Sequence, residues 1–261
     1  MNKSVQLNFQ LTPDKKVYFL SDLHLGAQSY TQSLAREKTI ISFLNHIKTD
    51  AQVLFFVGDI FDFWFEYRQA VPKYFVRFLA KIAELKDAGI DIYFIKGNHD
   101  LWMRNYLNDE LGVQIIEDTI ELNSGGKRIL ITHGDGKGKG DLKYKILKKI
   151  FTNPVSNFLF SWLHPDIGIK IALLWSRSSF TDPKTEVFKG EENEWLLQYA
   201  QQMANEKQYD FVLMGHRHLP MEINLANGAT YINLGDWIYN FTYAVFDGNL
   251  LSLKKWDNEQ Q

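Results

Sequence analysis

An α/β fold of two packed β-sheets with helices outside is predicted by three features of this sequence. Short apolar runs rich in β-branched and aromatic residues alternate with amphipathic helical patterns through the first half. A second series of closely spaced strand patterns follows residue 205. The stronger runs end in polar clusters, where open α/β sheets bind their ligands.

In order, VYFLSD (17–22), VLFFVGD (53–59) and IYFIKGN (92–98) read as buried strands running into polar tips. Between them, residues 33–48 and 72–88 carry apolar positions at three-to-four spacing, as amphipathic helices do. RILITHGD (128–135) is a fourth such strand. Beyond residue 205, DFVLMGH, LPMEINL, ATYINLGD, FTYAVFD and NLLSLKKW read as strands, and the turns at 226–228 and 247–249 suit hairpins. Residues 137–190 interrupt the pattern. They begin with KGKGDLKYKILKK and continue as an apolar helical stretch holding Phe158, Phe160, Trp162, Leu163, Ile171, Leu174 and Trp175. Gly136, Gly138 and Gly140 loosen its start, and Pro154, Pro165 and Pro183 divide it. It is expected to be a helical cap inserted into a single domain spanning 1–261.

Composition removes several function classes. With 261 residues, 45% hydrophobic, the chain can bury a large core. A net charge of −2 provides no basic field for nucleic acid, and no long basic, aromatic stripe suggests a nuclease. With no cysteine, disulfides, zinc–thiolate sites and cysteine nucleophiles are excluded. No run has signal-peptide character or nears the ~18 apolar residues of a membrane span. The expectation is a cytoplasmic protein, with a peripheral position on the inner membrane open to it.

Five polar clusters stand at strand tips: Asp22-Leu23-His24, Gly58-Asp59, Gly97-Asn98-His99-Asp100, Thr132-His133-Gly134-Asp135 and Gly215-His216-Arg217-His218. Five of the seven histidines lie in them; His46 and His164 do not, and are expected to be surface or packing residues. Residues two apart on an extended chain point the same way. Asp22 with His24, and His216 with His218, are therefore expected to aim pairs of ligands at one spot. Gly58, Gly97 and Gly215 leave room for backbone to approach a crowded ion. Imidazole, carboxylate and amide donors together favour Mn²⁺, Fe²⁺ or Zn²⁺ over ions that prefer all-oxygen shells. Two such ions serve phosphoryl transfer by activating water and stabilising the attacking and leaving oxygens. Taken singly, each cluster has a plainer explanation: an Asp-x-His turn, or a loop opening a helix capped by Asp100. Chance does not readily produce all five, in this order, at strand tips.

This order of motifs resembles the calcineurin-like metallophosphoesterase superfamily, whose pattern runs D-x-H, G-D, G-N-H-D/E, H and G-H-x-H; the match spans residues 17–218. The resemblance implies a four-layer αββα sandwich of two mixed β-sheets. It implies that Asp22, His24, Asp59 and His218 hold a first metal, and that Asp59 bridges to a second completed by Asn98, His133 and His216. His99 would stand near the leaving group as general acid or charge stabiliser, roles that imidazole suits near neutral pH.

Within the superfamily, the chain is similar to the UDP-2,3-diacylglucosamine hydrolase branch. The likeness rests on SDLHLG (21–26), GDIFDFW (58–64), HGD (133–135) with Asp141 and Tyr144 following, the helical insertion, and LGDW (234–237). It implies Mn²⁺-dependent cleavage of a lipid-linked UDP-sugar pyrophosphate in lipid A biosynthesis, with the inserted helices holding acyl chains. Trp64, Asp141 and Tyr144 are then the expected substrate contacts. Many members carry G-N-R-D where this chain has Gly97-Asn98-His99-Asp100, and Arg177 is the residue expected to supply the charge of that arginine. The six lysines of 137–149 would face phosphate or an anionic membrane, or form a solvated helix face. The alternatives are a metallophosphoesterase for another phosphomonoester, phosphodiester or nucleotide, and a scaffold that kept the fold without catalysis.

Overall fold

The computed structural model describes residues 4–138, 142–179 and 187–257. The strands are β1 (Ser4–Asn8), β2 (Lys16–Leu20), β3 (Ala51–Val57), β4 (Asp91–Ile95), β5 (Gln114–Ile116) and β6 (Thr119–Ser124), then β7 (Lys127–Thr132), β8 (Phe211–Met214), β9 (Met221–Asn224), β10 (Thr230–Asn233), β11 (Thr242–Phe246) and β12 (Leu251–Lys255). They form two six-stranded sheets, ordered β12-β11-β2-β3-β4-β5 and β1-β6-β7-β8-β10-β9. In the first, β2 to β5 run parallel and β11 and β12 add an antiparallel edge. In the second, β7, β8 and β10 run parallel. Both sheets are mixed.

Burial on both faces explains why the central strands read as unbroken apolar runs. In β3, Val53, Phe55 and Val57 point between the sheets and meet Ile129, Ile131 and Leu213 of the other. Leu54 and Phe56 point the opposite way, against Ile40, Phe43 and Phe78. These last come from α1 (Tyr30–Ile47) and α2 (Val76–Asp87), which cover the first sheet. α7 (Trp195–Lys207) covers the second, setting Leu196, Ala200 and Ala204 on Leu130, Val212 and Tyr231. The layers are therefore α, β, β, α.

α1 starts at Tyr30, before the expected residue 33, because Ser29 caps it. Ser29 Oγ accepts the Gln32 N–H at 3.3 Å and Gln32 Oε1 accepts the Ser29 N–H at 3.2 Å, a reciprocal capping box. Both expected hairpins are present, as β9–β10 and β11–β12. Three strands, β1, β5 and β6, and two helices, α3 (Tyr106–Leu111) and α7, were not expected.

Among its described residues, the segment expected as a cap holds three helices: α4 (Leu142–Phe151), α5 (Pro154–Ser161) and α6 (Pro165–Ser179). Pro154 and Pro165 each open a helix, where the missing N–H costs nothing. Aromatic contacts seat the segment. Phe160 lies 4.8 Å from the Phe65 ring and 5.1 Å from Trp102, whose Nε1–H donates to the Phe151 carbonyl at 2.7 Å.

Candidate metal centre

Six strand ends converge at one rim. The loops after β2, β3 and β4 carry Asp22 and His24, Asp59 and Asp62, and Asn98 and His99; those after β7, β8 and β10 carry His133 and Asp135, His216 and His218, and Asp236. Backbone bonds stitch them together. The Asp22 N–H donates to Gly58 O at 3.1 Å, His24 to Asp59 at 3.0 Å, Gly215 to His133 at 3.0 Å, and Trp237 to Asp22 at 3.1 Å.

The paired ligands do not come from extended strand. β2 ends at Leu20 and β8 at Met214, so both D-x-H and H-x-H lie in turning loops. Asp22, His24, Asp59, His216 and His218 all have left-handed backbone, with φ of 54°, 43°, 53°, 68° and 54°. Each costs about 1–3 kcal/mol and persists only where its surroundings over-determine it. The motif glycines make room for the ligand side chains themselves. A Cβ on Gly97 would stand 2.2 Å from Asp59 Oδ1, on Gly58 2.4 Å from His133 Nδ1, and on Gly215 2.4 Å from Asp22 Oδ2.

Among the described residues, three sets of donors lie with their atoms within 4.8 Å of one another: Asp22, His24 and His218; Asp59, His133 and His216; and His24, Asp59 and His99. The first two divide the expected ligands into two groups. Asp59 stands between them, with Oδ2 3.6 Å from His24 Nε2 and 3.3 Å from His133 Nε2. Asn98 Oδ1 joins the second group, 2.9 Å from His216 Nδ1 and 3.2 Å from His133 Nε2. The third set is unexpected, since it brings His99 within reach of a shared ion.

The field of this cluster calls for positive charge. Burial pushes the Asp22 carboxyl up, but His218, His24 and His133 outweigh it and bring it to about 2. Burial pushes His24 down, yet Asp22, Asp62 and Asp59 raise it to about 10. His133 is likewise raised to about 10, against burial, chiefly by Asp59. His216 is lowered to about 4 by burial and by His133. Two imidazoles raised in this way offset only part of the charge of Asp22, Asp59, Asp62 and Asp236. Asp22 Oδ1 and His24 Nε2 are buried and have no hydrogen-bond partner among the described residues. Unpaired buried groups of this kind are costly. A divalent cation would satisfy both the field and the orphaned atoms, and the nitrogen–oxygen donor set suits it.

Outer groups orient the donors, and most of these went unforeseen. Asp62 Oδ1 stands 3.4 Å from His24 Nδ1, and Asp236 Oδ2 stands 3.7 Å from His218 Nδ1, ion-pair contacts and not hydrogen bonds. His133 Nδ1 is held by the Val57 carbonyl at 2.8 Å. A carboxylate or carbonyl behind an imidazole fixes which nitrogen faces a metal. Asp100 opens no helix. Its Oδ1 accepts the Gly97 N–H at 2.7 Å and its Oδ2 the Ile60 N–H at 2.8 Å, bracing two site loops. The sequence signal for Asp62 and Asp236 was their place inside GDIFD and LGD beside expected ligands.

His99 sits at the edge of the cluster. Its backbone N–H donates to Asp59 Oδ1 at 2.9 Å and its Nδ1 lies 3.0 Å from the Asp62 carbonyl. That carbonyl can only accept, so Nδ1 carries the hydrogen and Nε2 is the nitrogen left for a ligand. Ser176 of α6 reaches the same place: its hydroxyl donates to Asp62 Oδ2 at 2.9 Å.

Next to His99 opens a cavity of about 450 Å³, between the insertion and the loops after β3 and β4. Asp62, Asn98 and His99 form its polar end, and Phe63, Trp102, Phe151, Phe160 and Ile171 are among its apolar walls. Other expected cap residues face outward: Phe158, Leu159 and Trp162 are exposed.

The expected substrate contacts fare differently. Trp64 is fully buried, its ring 4.4 Å from Phe61 and its Nε1–H donated to Glu66 at 3.2 Å. With no exposed surface it is a core residue and not a substrate contact. Asp141 lies outside the described residues, as do the side chains of Tyr144, Trp175 and Arg177. Among the described lysines of 137–149, Lys137 bonds to Asp118 at 2.7 Å, Lys145 to the Gly138 carbonyl at 2.6 Å and Lys148 to Asp135 at 2.5 Å. His164 is exposed and His46 packs its ring 5.2 Å from Trp256, both away from the cluster.

Comparison with known proteins points the same way. The sequence model of the calcineurin-like phosphoesterase family matches residues 15–220. A Porphyromonas gingivalis protein named UDP-2,3-diacylglucosamine hydrolase is 36% identical over 257 residues, covering 93% of this chain and 98% of that one. Proteins of the same name from Haemophilus ducreyi and a Shewanella species are 29% and 28% identical. Their alignments cover 84% and 92% of this chain, and 91% and 97% of theirs.

Proposed function

The chain belongs to the calcineurin-like phosphoesterase family and is a metal-dependent hydrolase, and from that premise we propose that it cleaves the pyrophosphate of UDP-2,3-diacylglucosamine. The products are UMP and a lipid monophosphate. The observation that carries the substrate is the apolar cavity that begins at His99 and Asn98 and runs under the inserted helices. Its volume of about 450 Å³ falls in the range of ligand pockets. Its aromatic and aliphatic walls offer nothing to the charged and hydroxylated parts of a soluble nucleotide, whereas each buried methylene of an acyl chain contributes about 0.8 kcal/mol.

Asp22, His24, Asp59 and His218 would hold one divalent ion, and Asp59, Asn98, His133 and His216 a second, with Mn²⁺ the ion we favour. When bound, such ions supply an activated water and stabilise charge on the attacking and leaving oxygens. Asp62 and Asp236, at ion-pair distance behind His24 and His218, would orient them. His99, with Nδ1 fixed by the Asp62 carbonyl, presents Nε2 as the atom that holds or gives a proton at the leaving oxygen.

The outer face of α5 and α6 supports contact with a membrane, where a diacyl substrate resides. Val155, Phe158, Leu159, Trp162 and Ile167 are exposed there, flanked by exposed Lys149 and Lys170. No helix of the described residues is long and apolar enough to cross a membrane. Trp162→Glu is expected to weaken co-sedimentation with anionic phospholipid vesicles; unchanged binding would remove this face from the proposal.

The function is tested by Mn²⁺-dependent turnover of UDP-2,3-diacylglucosamine beside p-nitrophenyl phosphates and cyclic nucleotides. The diacyl substrate is expected to have the highest kcat/KM. A higher value for a soluble phosphate ester would favour a phosphoesterase of different substrate.

A further inference from the structure

The rings of two expected ligands, His24 and His218, are not anchored by hydrogen bonds. Among the described residues, both nitrogens of His24 and Nδ1 of His218 have no hydrogen-bond partner. Asp62 and Asp236 stand behind them only at ion-pair distance, 3.4 and 3.7 Å. His133, expected on the other ion, differs: the Val57 carbonyl fixes its ring through Nδ1 at 2.8 Å. His24 and His218 must therefore be placed through their backbones. Both backbones are left-handed, with φ of 43° and 54°, a conformation that persists only where its surroundings hold it.

Two side chains hold them. Arg36 of α1 is buried, and its Nη1 donates to the His24 carbonyl at 2.5 Å and to the Leu23 carbonyl at 3.3 Å. Asn240, between β10 and β11, donates from Nδ2 to the His218 carbonyl at 2.9 Å and to Asp236 Oδ2 at 2.8 Å. The two anchors are joined. Arg36 Nη2 donates to Gln28 Oε1 at 2.7 Å, and Gln28 Nε2 donates to the Tyr239 hydroxyl at 3.1 Å. The Tyr239 and Asn240 N–H groups both donate to Asp236 Oδ1, at 2.7 and 3.2 Å. These bonds reach the loops of His24 and His218 and none of the loops that carry Asn98, His133 and His216.

Charge and geometry make opposite demands on Arg36. A cation beside a cation site weakens metal binding by charge alone. Its hydrogen bonds strengthen it, by fixing the ligand before the ion arrives. We infer that Arg36 and Asn240 are positioning residues for the first ion, each fixing a ligand histidine by its main-chain carbonyl. The inference rests on the proposed two-ion centre.

The test is calorimetric titration of Mn²⁺ into the full chain stripped of metal by a chelator. Arg36→Met and Asn240→Ala are each expected to weaken one of the two sites by about 10–100-fold, as loss of an outer partner does, and to leave the other unchanged. Arg36→Lys keeps the charge without the forked donor and is expected to fall between Arg36→Met and the wild type. In a His218→Ala background, where the first site is already lost, Arg36→Met is expected to leave the remaining site as it was. Melting temperature separates a folding role, since a loosened fold singles out neither site. If Arg36→Met does not fold, Arg36→Lys and Asn240→Ala carry the same test. Equal loss at both sites, or a tighter site in Arg36→Met as charge alone demands, overturns the positioning role. If the wild type binds two ions and these variants match it, only the positioning falls. If the wild type binds fewer than two, the two-ion centre and the positioning fall together.

Discussion

Asp59 is the residue on which the proposed centre turns. It is buried, its carboxylate lies between His24 and His133, and its backbone is held in the left-handed region. Asp59→Asn is therefore expected to abolish activity and lower bound metal, while His46→Ala, remote from the cluster, changes neither. Metal content by emission spectrometry checks both. His99 poses a sharper question, because one of the three donor sets includes it. As a proton donor outside the metal shell, His99→Ala should reduce turnover by roughly 10²–10⁴ and leave about two ions per chain. Loss of an ion in that variant would make His99 a ligand. Protonation gives a further check. With His24 and His133 raised to about 10 in the metal-free chain, both carry protons at neutral pH. Ligation needs neutral imidazole, so metal uptake near pH 7 is expected to release protons and to weaken as pH falls. Titrations in buffers of different ionisation enthalpy measure that release; buffer-independent heats would contradict it.

At the scale of elements, the strand tips were legible and the shape of their loops was not. VYFLSD, VLFFVGD and IYFIKGN announce strands because both faces are buried, so every position is apolar until the tip. The left-handed turns at Asp22, His24, His216 and His218 leave no such trace, since the residues that adopt them were chosen as ligands and not for backbone preference. β1 was missed because it is an edge strand with mostly exposed side chains, and β6 because Thr119, Glu121 and Asn123 break its apolar pattern. Trp64 shows the opposite error: an aromatic in a functional motif that is simply core. The glycines offer a test at this scale. Gly97→Ala places a methyl on Asp59 Oδ1, and the loop cannot yield without moving a ligand. It is expected to cost about 1–3 kcal/mol of stability and to reduce metal content. Gly89→Ala, with nothing within 4 Å of the added carbon but a left-handed φ of 85°, should lower stability without touching the metal. Equal metal content in the two would contradict the close-packing account. For the insertion, Ile171→Asn in the apolar cavity is expected to raise KM for the diacyl substrate and to leave an aryl phosphate unaffected.

The whole molecule brings the parallel strands of two sheets to one rim, so that donors from both sheets share one ion cluster. Much of this was readable, because the five motifs carry their ligands at strand ends in the order in which the sheets use them. What was not readable is three-dimensional adjacency: that Ser176 of α6 would reach Asp62, and that α6 would wall a cavity against the loops after β3 and β4. The first of these joins residues 114 apart, the second joins segments far apart in sequence, and no local pattern encodes them. The central claim is that a generic two-metal centre gains its specificity from the apolar cavity beside it. The most direct measurement is kcat/KM for UDP-2,3-diacylglucosamine against UDP-glucosamine without acyl chains, both with Mn²⁺. Burying even about four methylenes in that cavity favours the diacyl compound by more than about hundredfold. Equal values for the two would contradict the claim, leaving a metallophosphoesterase whose inserted helices do not select its substrate.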